Sequence, residues 1–213
     1  MEPTTNRSSI HERMMAVMQD RRPDRPPFIG RLELWRRGHM RSGTLPAEYH
    51  DLTLTEIHRA VGMGQQQFVA LFKVKLHGVE LAVSFEGEEL HRETDPLVGP
   101  FPRGGFTMPE DRIGTMTVEY ITPVGTITVQ EQILMDEYKW GIGFYTVKHA
   151  FEEEADYRTA QYVLERAEYI LQTDELRATE TRLGDIGYAV PHLGRTPFQG
   201  MLLDYFHTTG MFC

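Results

Sequence analysis

The chain has 213 residues, 40% of them hydrophobic, and a formal net charge of −9. That length buries a real core. An acidic balance without a basic run excludes a nonspecific nucleic-acid binder, which depends on neutralising phosphates. No apolar stretch is long enough for a membrane-spanning helix, and the single cysteine, Cys213, excludes an intrachain disulfide. The N-terminus, MEPTTNRSSIHERMM, lacks the apolar stretch of a secretion signal. A cytoplasmic protein is therefore expected, and the Asn6-Arg7-Ser8 sequon carries no meaning without secretion.

Taken in chain order, Ser9 and Glu12 form a capping box that opens a helix over 10–19, with Ile10, Met14, Met15 and Met18 at helical spacing. RRPDRPP ends it and hands over to FIGRLELW, which reads as a strand. A second helix is expected over 51–62, closed by Gly62. Residues 67–75, QFVALFKVK, read as a second strand. Two alternating runs around Glu86-Gly87 predict a hairpin, and RIGTMTVEYI and GTITVQEQIL, joined by TPVG, predict another. A Pro/Gly-rich loop over 95–111 lies between them. A strong helix is expected over 151–171, with an acidic first turn and an apolar stripe. GYAVP, 187–191, reads as a short strand, and FQGMLLDYFH begins a last helix.

The order predicts a single α/β domain over 1–213: an N-terminal helix and first strands over 1–75, an inserted antiparallel β-hairpin layer over 76–135, and a further strand–helix unit over 136–213. Three strand–helix units do not close an eight-unit barrel, which takes about 250 residues. The chain is thus expected to be either a piece of a larger protein or completed by a second chain.

The stretch FIGRLELW poses the sharpest chemical question. Read as a strand, it places Arg31, Glu33 and Trp35 on one face with Ile29, opposite an apolar face of Phe28, Gly30, Leu32 and Leu34. Buried charges need partners. The mixed face is either a structural Arg31–Glu33 ion pair or a substrate-binding surface at the end of a barrel strand. His192, directly after GYAVP, is a further binding candidate, with Arg195 and Gln199 beside it. His39 and His50 read as surface histidines. Asp204 and His207, three apart on one helix, read equally as part of a site or as a cap or surface pair. Lys73 and Lys75 alternate along the second strand. The basic clusters at Arg21-Arg22 and Arg36-Arg37 read as solvated loop charge. GMGQQQ and WGIGFY lack the third glycine of a dinucleotide loop, and no P-loop, HExxH or GxSxG occurs.

HERMMAVMQDRRPDRPPFIGRLELW, RSGTLPAEY, EYITPVGTITVQEQ and FEEEADYRTAQYVLERAEY together resemble the uroporphyrinogen decarboxylase superfamily, most closely its cobamide-dependent methyltransferase-like branch. The resemblance runs along most of 9–207 and rests on the order of several weak motifs. It implies that the chain is the N-terminal portion of a (β/α)8 TIM barrel with its site at the C-terminal face of the strands, of which this chain would supply the first three, interrupted by the inserted antiparallel β-hairpin layer. It also implies methyl transfer between a small methylated substrate and a corrinoid, with a zinc. The branch's zinc ligands, a His-x-Cys pair and a later Cys, have no counterpart here, so neither zinc nor corrinoid is expected to be bound by this chain alone.

Laid on the decarboxylase's first-strand pattern, PPFIGRLELWR matches one arginine at Arg31, while Trp35 falls where a second would stand. No carboxylate occurs in FVALFKVK where that family holds pyrrole N–H groups, and Leu203 stands in place of its tyrosine. The expected substrate-binding residues are Arg31, Glu33, Trp35 and His192, the catalytic ones being unassigned. The expected partners are a small-molecule substrate, a corrinoid protein, and either a second copy or a complementing C-terminal half. No nucleic acid and no membrane are expected. The alternatives are decarboxylation of the uroporphyrinogen type and a non-catalytic half-barrel acting as a binding partner.

Overall fold

The computed structural model describes residues 8–102, 104–106, 112–141 and 144–206. Asn6, Arg7, His207, Cys213, part of the 95–111 loop and part of WGIGFY lie outside the described residues. Among the described residues the protein is mixed α/β, with seven α-helices and three sheets, none closed into a barrel. No helix among them is long and apolar enough to cross a membrane.

The chain falls into two compact units. The first comprises 1–69, 139–141 and 173–192; the second comprises 70–138, 142–172 and 193–213. The division comes at Ala70 rather than after residue 75. The expected hairpin layer, 76–135, is only the middle of the second unit.

The first unit begins with α1 (Ile10–Met18), whose Ser9–Glu12 capping box is formed as its sequence predicts. Then come β1 (Ile29–Gly30), α2 (Glu33–Ser42), a 3₁₀ turn at Ala47–Tyr49 and α3 (Leu54–Ala60). Thr53 and Glu56 make a second capping box. Gly62, at φ +68°, turns the chain into β2 (Gly64–Ala70).

FIGRLELW is not a strand. Only Ile29 and Gly30 pair, in parallel, with Gly64 and Gln65. From Glu33 the chain is helical, with an acidic first turn, His39 and Arg41 in the last turn, and Gly43 at φ +68° as its left-handed C-cap. Charges matched to the helix dipole and a glycine stop outweigh the alternation of apolar residues. The helix expected over 51–62 is shorter, and the strand expected over 67–75 is two strands broken at Leu71.

In the second unit, β3 (Phe72–Leu76), β4 (Glu80–Phe85), β5 (Glu88–Thr94) and β6 (Leu97–Val98) are followed by β7 (Gly114–Thr122), β8 (Gly125–Ile133), α4 (Met135–Lys139) and β9 (Tyr145–Lys148). Both expected hairpins are present. Glu86 and Gly87 turn β4 into β5 with φ of 49° and 82°, as a tight two-residue hairpin requires. β5-β4-β7-β8-β9 form a five-stranded antiparallel sheet. The alternation of TMTVEYI and TITVQEQI buries Met116, Val118, Tyr120, Ile127 and Val129 on one face.

The helix expected over 151–171 ends early. α5 is Glu154–Glu165, and Ala167–Leu171 is a strand, β10, paired along all of β3. Ala167 and Leu171 fit a helical stripe equally well. The unsatisfied edge of β3 decides for the strand, and Tyr169 meets the Phe72 ring at 5.2 Å. β10-β3-β6 form the second unit's other sheet, and the two sheets share one core through Val74, Leu76, Leu81 and Val83 with α5 residues Ala160 and Val163.

The chain then enters α6 (Thr173–Leu183), which the sequence reading omits, passes a 3₁₀ turn at Gly184–Ile186, and forms β11 (Gly187–His192) in the first unit. α7 (Pro197–Gly200) runs into one π-helical turn, Met201–Tyr205, in the second.

Candidate functional site

The first unit holds one sheet, ordered β1-β2-β11. β1 and β2 are parallel. Gly187 lies against Gln65, the Tyr188 hydroxyl reaches Gln66, and the His192 ring meets Phe68, so β11 advances in the same sense as β2. The three strands therefore run in one sense, with β1 ending beside Gln65 near the start of β2.

The two faces differ. On one, Gln65 and Val69 of β2 and Ala189 of β11 are buried. This face is shared with Gln67, which accepts a hydrogen bond from Arg182 of α6 at 3.0 Å. The other face carries Gly64, Gln66 and Phe68 of β2 and Tyr188, Val190 and His192 of β11. Ile10 of α1 lies against Gly64 at the lower end of that face, and His11 donates from Nδ1 to the Gly187 carbonyl at 2.8 Å. Towards the C-terminal edge the face opens, and Phe68 is 54% exposed. An exposed phenylalanine in the middle strand of a parallel sheet is unusual, because such strands are ordinarily covered on both sides.

Continuing the β1 register by one residue places Arg31 level with Gln66. Its Nε donates to a Glu33 carboxylate oxygen, and both side chains remain partly exposed. The pair expected from the sequence thus exists, but it spans the β1–α2 junction rather than a strand face. Glu33 also lies near enough to His58 for its charge to act on that ring. His58 is 1% exposed in α3. Burial pushes its pKa down, against the opposing pull of the Met63 carbonyl and Glu33.

Trp35 is carried away from the strand by α2. It packs against His39 at 4.9 Å and edge-on to Tyr49 at 5.8 Å. His39 meets Thr44 at 2.7 Å and His50 the Leu45 carbonyl at 2.7 Å, so both brace the loop after α2. His192 sits at the end of β11, its ring 6.1 Å from Phe68 and nearly perpendicular. Of the four expected binding residues, Arg31 and Glu33 touch each other and His192 lies two strands away across β2. Trp35 belongs to a separate aromatic cluster.

In the second unit, Arg195 pairs with Asp204 at 3.0 Å and Gln199 caps Thr196. Lys75 bonds the Asp95 carbonyl.

No family model, curated protein or solved structure matches the chain. The site rests on its own geometry.

The sequence reading missed Gln66, Phe68 and Tyr188. Tyr188 donates its hydroxyl hydrogen to Gln66 Oε1 at 3.1 Å, tying β11 to β2 across the open face. The signal was partly present, since Tyr188, Val190 and His192 alternate in GYAVPH. Gln66 fell outside the expected strand, which began one residue later. The face offers amide and hydroxyl groups, one aromatic wall and a neutral Arg–Glu pair.

Proposed function

We propose that the chain is the opening portion of a uroporphyrinogen-decarboxylase-like (β/α)8 barrel whose complete form moves a methyl group between a small methylated substrate and a corrinoid. The observation that supports this most is the strand arrangement. β1, β2 and β11 stand side by side in chain order and run in one sense, with α2 and α3 between the first two, and the eight strands β3–β10 and then α6 between β2 and β11. Barrel strands are laid down in that way, and barrel sites gather at the C-terminal ends of the strands. Phe68 and His192 lie towards the C-terminal ends of β2 and β11, and Arg31 directly follows β1, level with Gln66.

These residues do not fit the zinc that the resemblance implies. Among the described residues no three His, Cys, Asp or Glu side chains converge as a metal site, and the open face is built of amide, phenol and phenyl groups with one imidazole. The chain's own share of the reaction is substrate positioning. Glu33 holds the Arg31 guanidinium by its Nε, the Gln66–Tyr188 pair presents directed hydrogen bonds, and Phe68 walls the site. The corrinoid is brought by a partner protein, and the remaining strands come from a longer or complementing chain.

The decarboxylation reading lacks a carboxylate on β2, whose residues are GQQQFVA. The test is methyl transfer by the barrel-complete protein, with the cobalt–methyl absorbance followed on adding methyl acceptors to a methylcorrinoid. Decay of that band is expected. No spectral change with any donor or acceptor, or formation of coproporphyrinogen from uroporphyrinogen, overturns the proposal.

A further inference from the structure

We infer that the free edge of β10 pairs with β10 of a second copy of this chain, antiparallel and with Tyr169 opposite Tyr169, so that two β10-β3-β6 sheets join into one. The inference goes beyond the methyl-transfer reading and does not depend on it.

Three observations carry it. First, β10 is an unguarded edge. It ends its sheet, and among the described residues it pairs with β3 alone. Proteins blunt such edges with short strands, charges, prolines or bulges. The other edges here are blunted in these ways. β1 and β6 are two residues long, β11 carries Pro191, and β5 carries Glu88, Glu89, Arg92 and Glu93. β9 is short, joins β8 through a register shift and ends in Lys148. β10 (AEYIL) pairs over five residues without a shift, and its one charged residue, Glu168, is bonded to His77 at 2.9 Å. Second, the core face of this sheet runs past the core at β10. Tyr169 and Leu171 share a face with the buried Val74 and Leu76, yet they are 60% and 63% exposed. A strand laid alongside continues that face with apolar side chains of its own.

Third, the edge is complementary to itself. His77 N–H donates to the Arg166 carbonyl at 3.1 Å, and Gln172 N–H to the Leu71 carbonyl at 2.8 Å. In this antiparallel ladder the even-numbered residues of β10 thus turn their backbone groups to β3, while Ala167, Tyr169 and Leu171 turn theirs outward. With Tyr169 opposite Tyr169, Ala167 meets Leu171, and every outward N–H and C=O of the strand finds a partner. Glu168 then opposes Ile170, whose neighbour on β3 is Lys73, so each copy's acid enters the row of the other's lysine. A two-fold axis at residue 168 sets Glu168 against Glu168, which is unfavourable. An axis at residue 170 leaves Ala167 without a strand partner. Opposed charges and filled hydrogen bonds therefore both select a second copy in one register.

Sedimentation equilibrium on the full chain over a concentration series tests this. A dimer that dissociates on dilution is expected. Tyr169→Lys and Tyr169→Glu each set like charges against one another on the two-fold axis, and each is expected to weaken the dimer about tenfold. Tyr169 is exposed, and circular dichroism checks that both variants keep the fold. An equimolar mixture of the two is expected to regain the dimer, because the axis then sets lysine against glutamate. Val147→Lys, on the exposed edge strand β9, is expected to leave the dimer unchanged. A wild-type chain that stays monomeric throughout the series overturns the inference and leaves the edge to a strand of another protein. A dimer indifferent to both Tyr169 variants, or a mixture no tighter than either variant alone, overturns it as well.

Discussion

The Tyr188 hydroxyl lies 3.1 Å from Gln66 Oε1, joining two strands that are 122 residues apart in sequence. Apart from 139–141, the chain from Ala70 to Gln172 belongs to the other unit, yet β11 returns to the edge of β2. Neither side chain is fully buried. A neutral hydrogen bond of this kind contributes about 1 kcal/mol. A double-mutant cycle of Gln66→Leu and Tyr188→Phe, read by urea unfolding, is expected to give a coupling of about that size. A coupling indistinguishable from zero would show that the two groups do not bond in solution.

Gly187 approaches β2 more closely than any side chain allows. A Cβ there would lie 1.8 Å from the Gln65 carbonyl oxygen, which is backbone and cannot swing aside. Gly187→Ala is therefore expected to pry β11 from β2. It should lower stability by more than about 2 kcal/mol and raise amide exchange at Gln65 and Gln66. Wild-type exchange rates in the variant would contradict the observed strand packing.

His58 makes the first unit sensitive to acid. Its folded pKa lies below the ordinary 6.5 because burial disfavours the imidazolium. The unfolded chain then binds more protons wherever the pH falls below 6.5. The contribution of neutral His58 is thus fully present above that value. It is lost as pH falls through the lowered folded pKa. Urea midpoints between pH 7.5 and 5, read as a pH series, are expected to fall with a steeper slope in the wild type than in His58→Gln. Parallel slopes would refute this assignment.

Tyr120 is fully buried in the second unit, edge-on to Phe101 at 4.9 Å, and its hydroxyl has no hydrogen-bond partner among the described residues. Burial drives its pKa far above the ordinary tyrosine value. An unpaired buried hydroxyl costs rather than contributes. Tyr120→Phe should therefore be neutral or stabilising by up to about 1 kcal/mol, while Tyr120→Ala should cost about 3–5 kcal/mol through the cavity. Substantial loss of thermal stability in the phenylalanine variant would mean that the hydroxyl is bonded after all.

The elements that the sequence predicts correctly have local causes. The Ser9–Glu12 box opens α1, and the Thr53–Glu56 box, present but unremarked in the reading, opens α3. Glu86-Gly87 supplies the two positive φ angles of its hairpin, and β7 and β8 alternate without interruption. α6 was readable too, with Asp174 and Glu175 early, Arg182 late and Gly184 at φ +55° beyond it. Its apolar stripe is thin, Leu176 and Leu183 about the small Thr179, so periodicity alone did not reveal it.

Arg31 and Glu33 show both sides of the matter. Their pairing follows from opposite charges two residues apart. Whether they ride a strand or its exit does not, because LELWRR satisfies both periods. Parallel β1 pairs for only two residues, and the remainder takes its hydrogen bonds within α2. Residues 67–75 likewise carry one continuous β-forming pattern, yet the strand breaks at Leu71 and the two units divide at Ala70. Caps, turns and alternation are settled by neighbours in the chain, which the sequence contains. Strand partners are settled by backbone groups far away, so β10 became a strand only because β3 had an open edge. The open face of Gln66, Phe68, Tyr188 and His192 exists for the same reason, since only folding sets β11 beside β2.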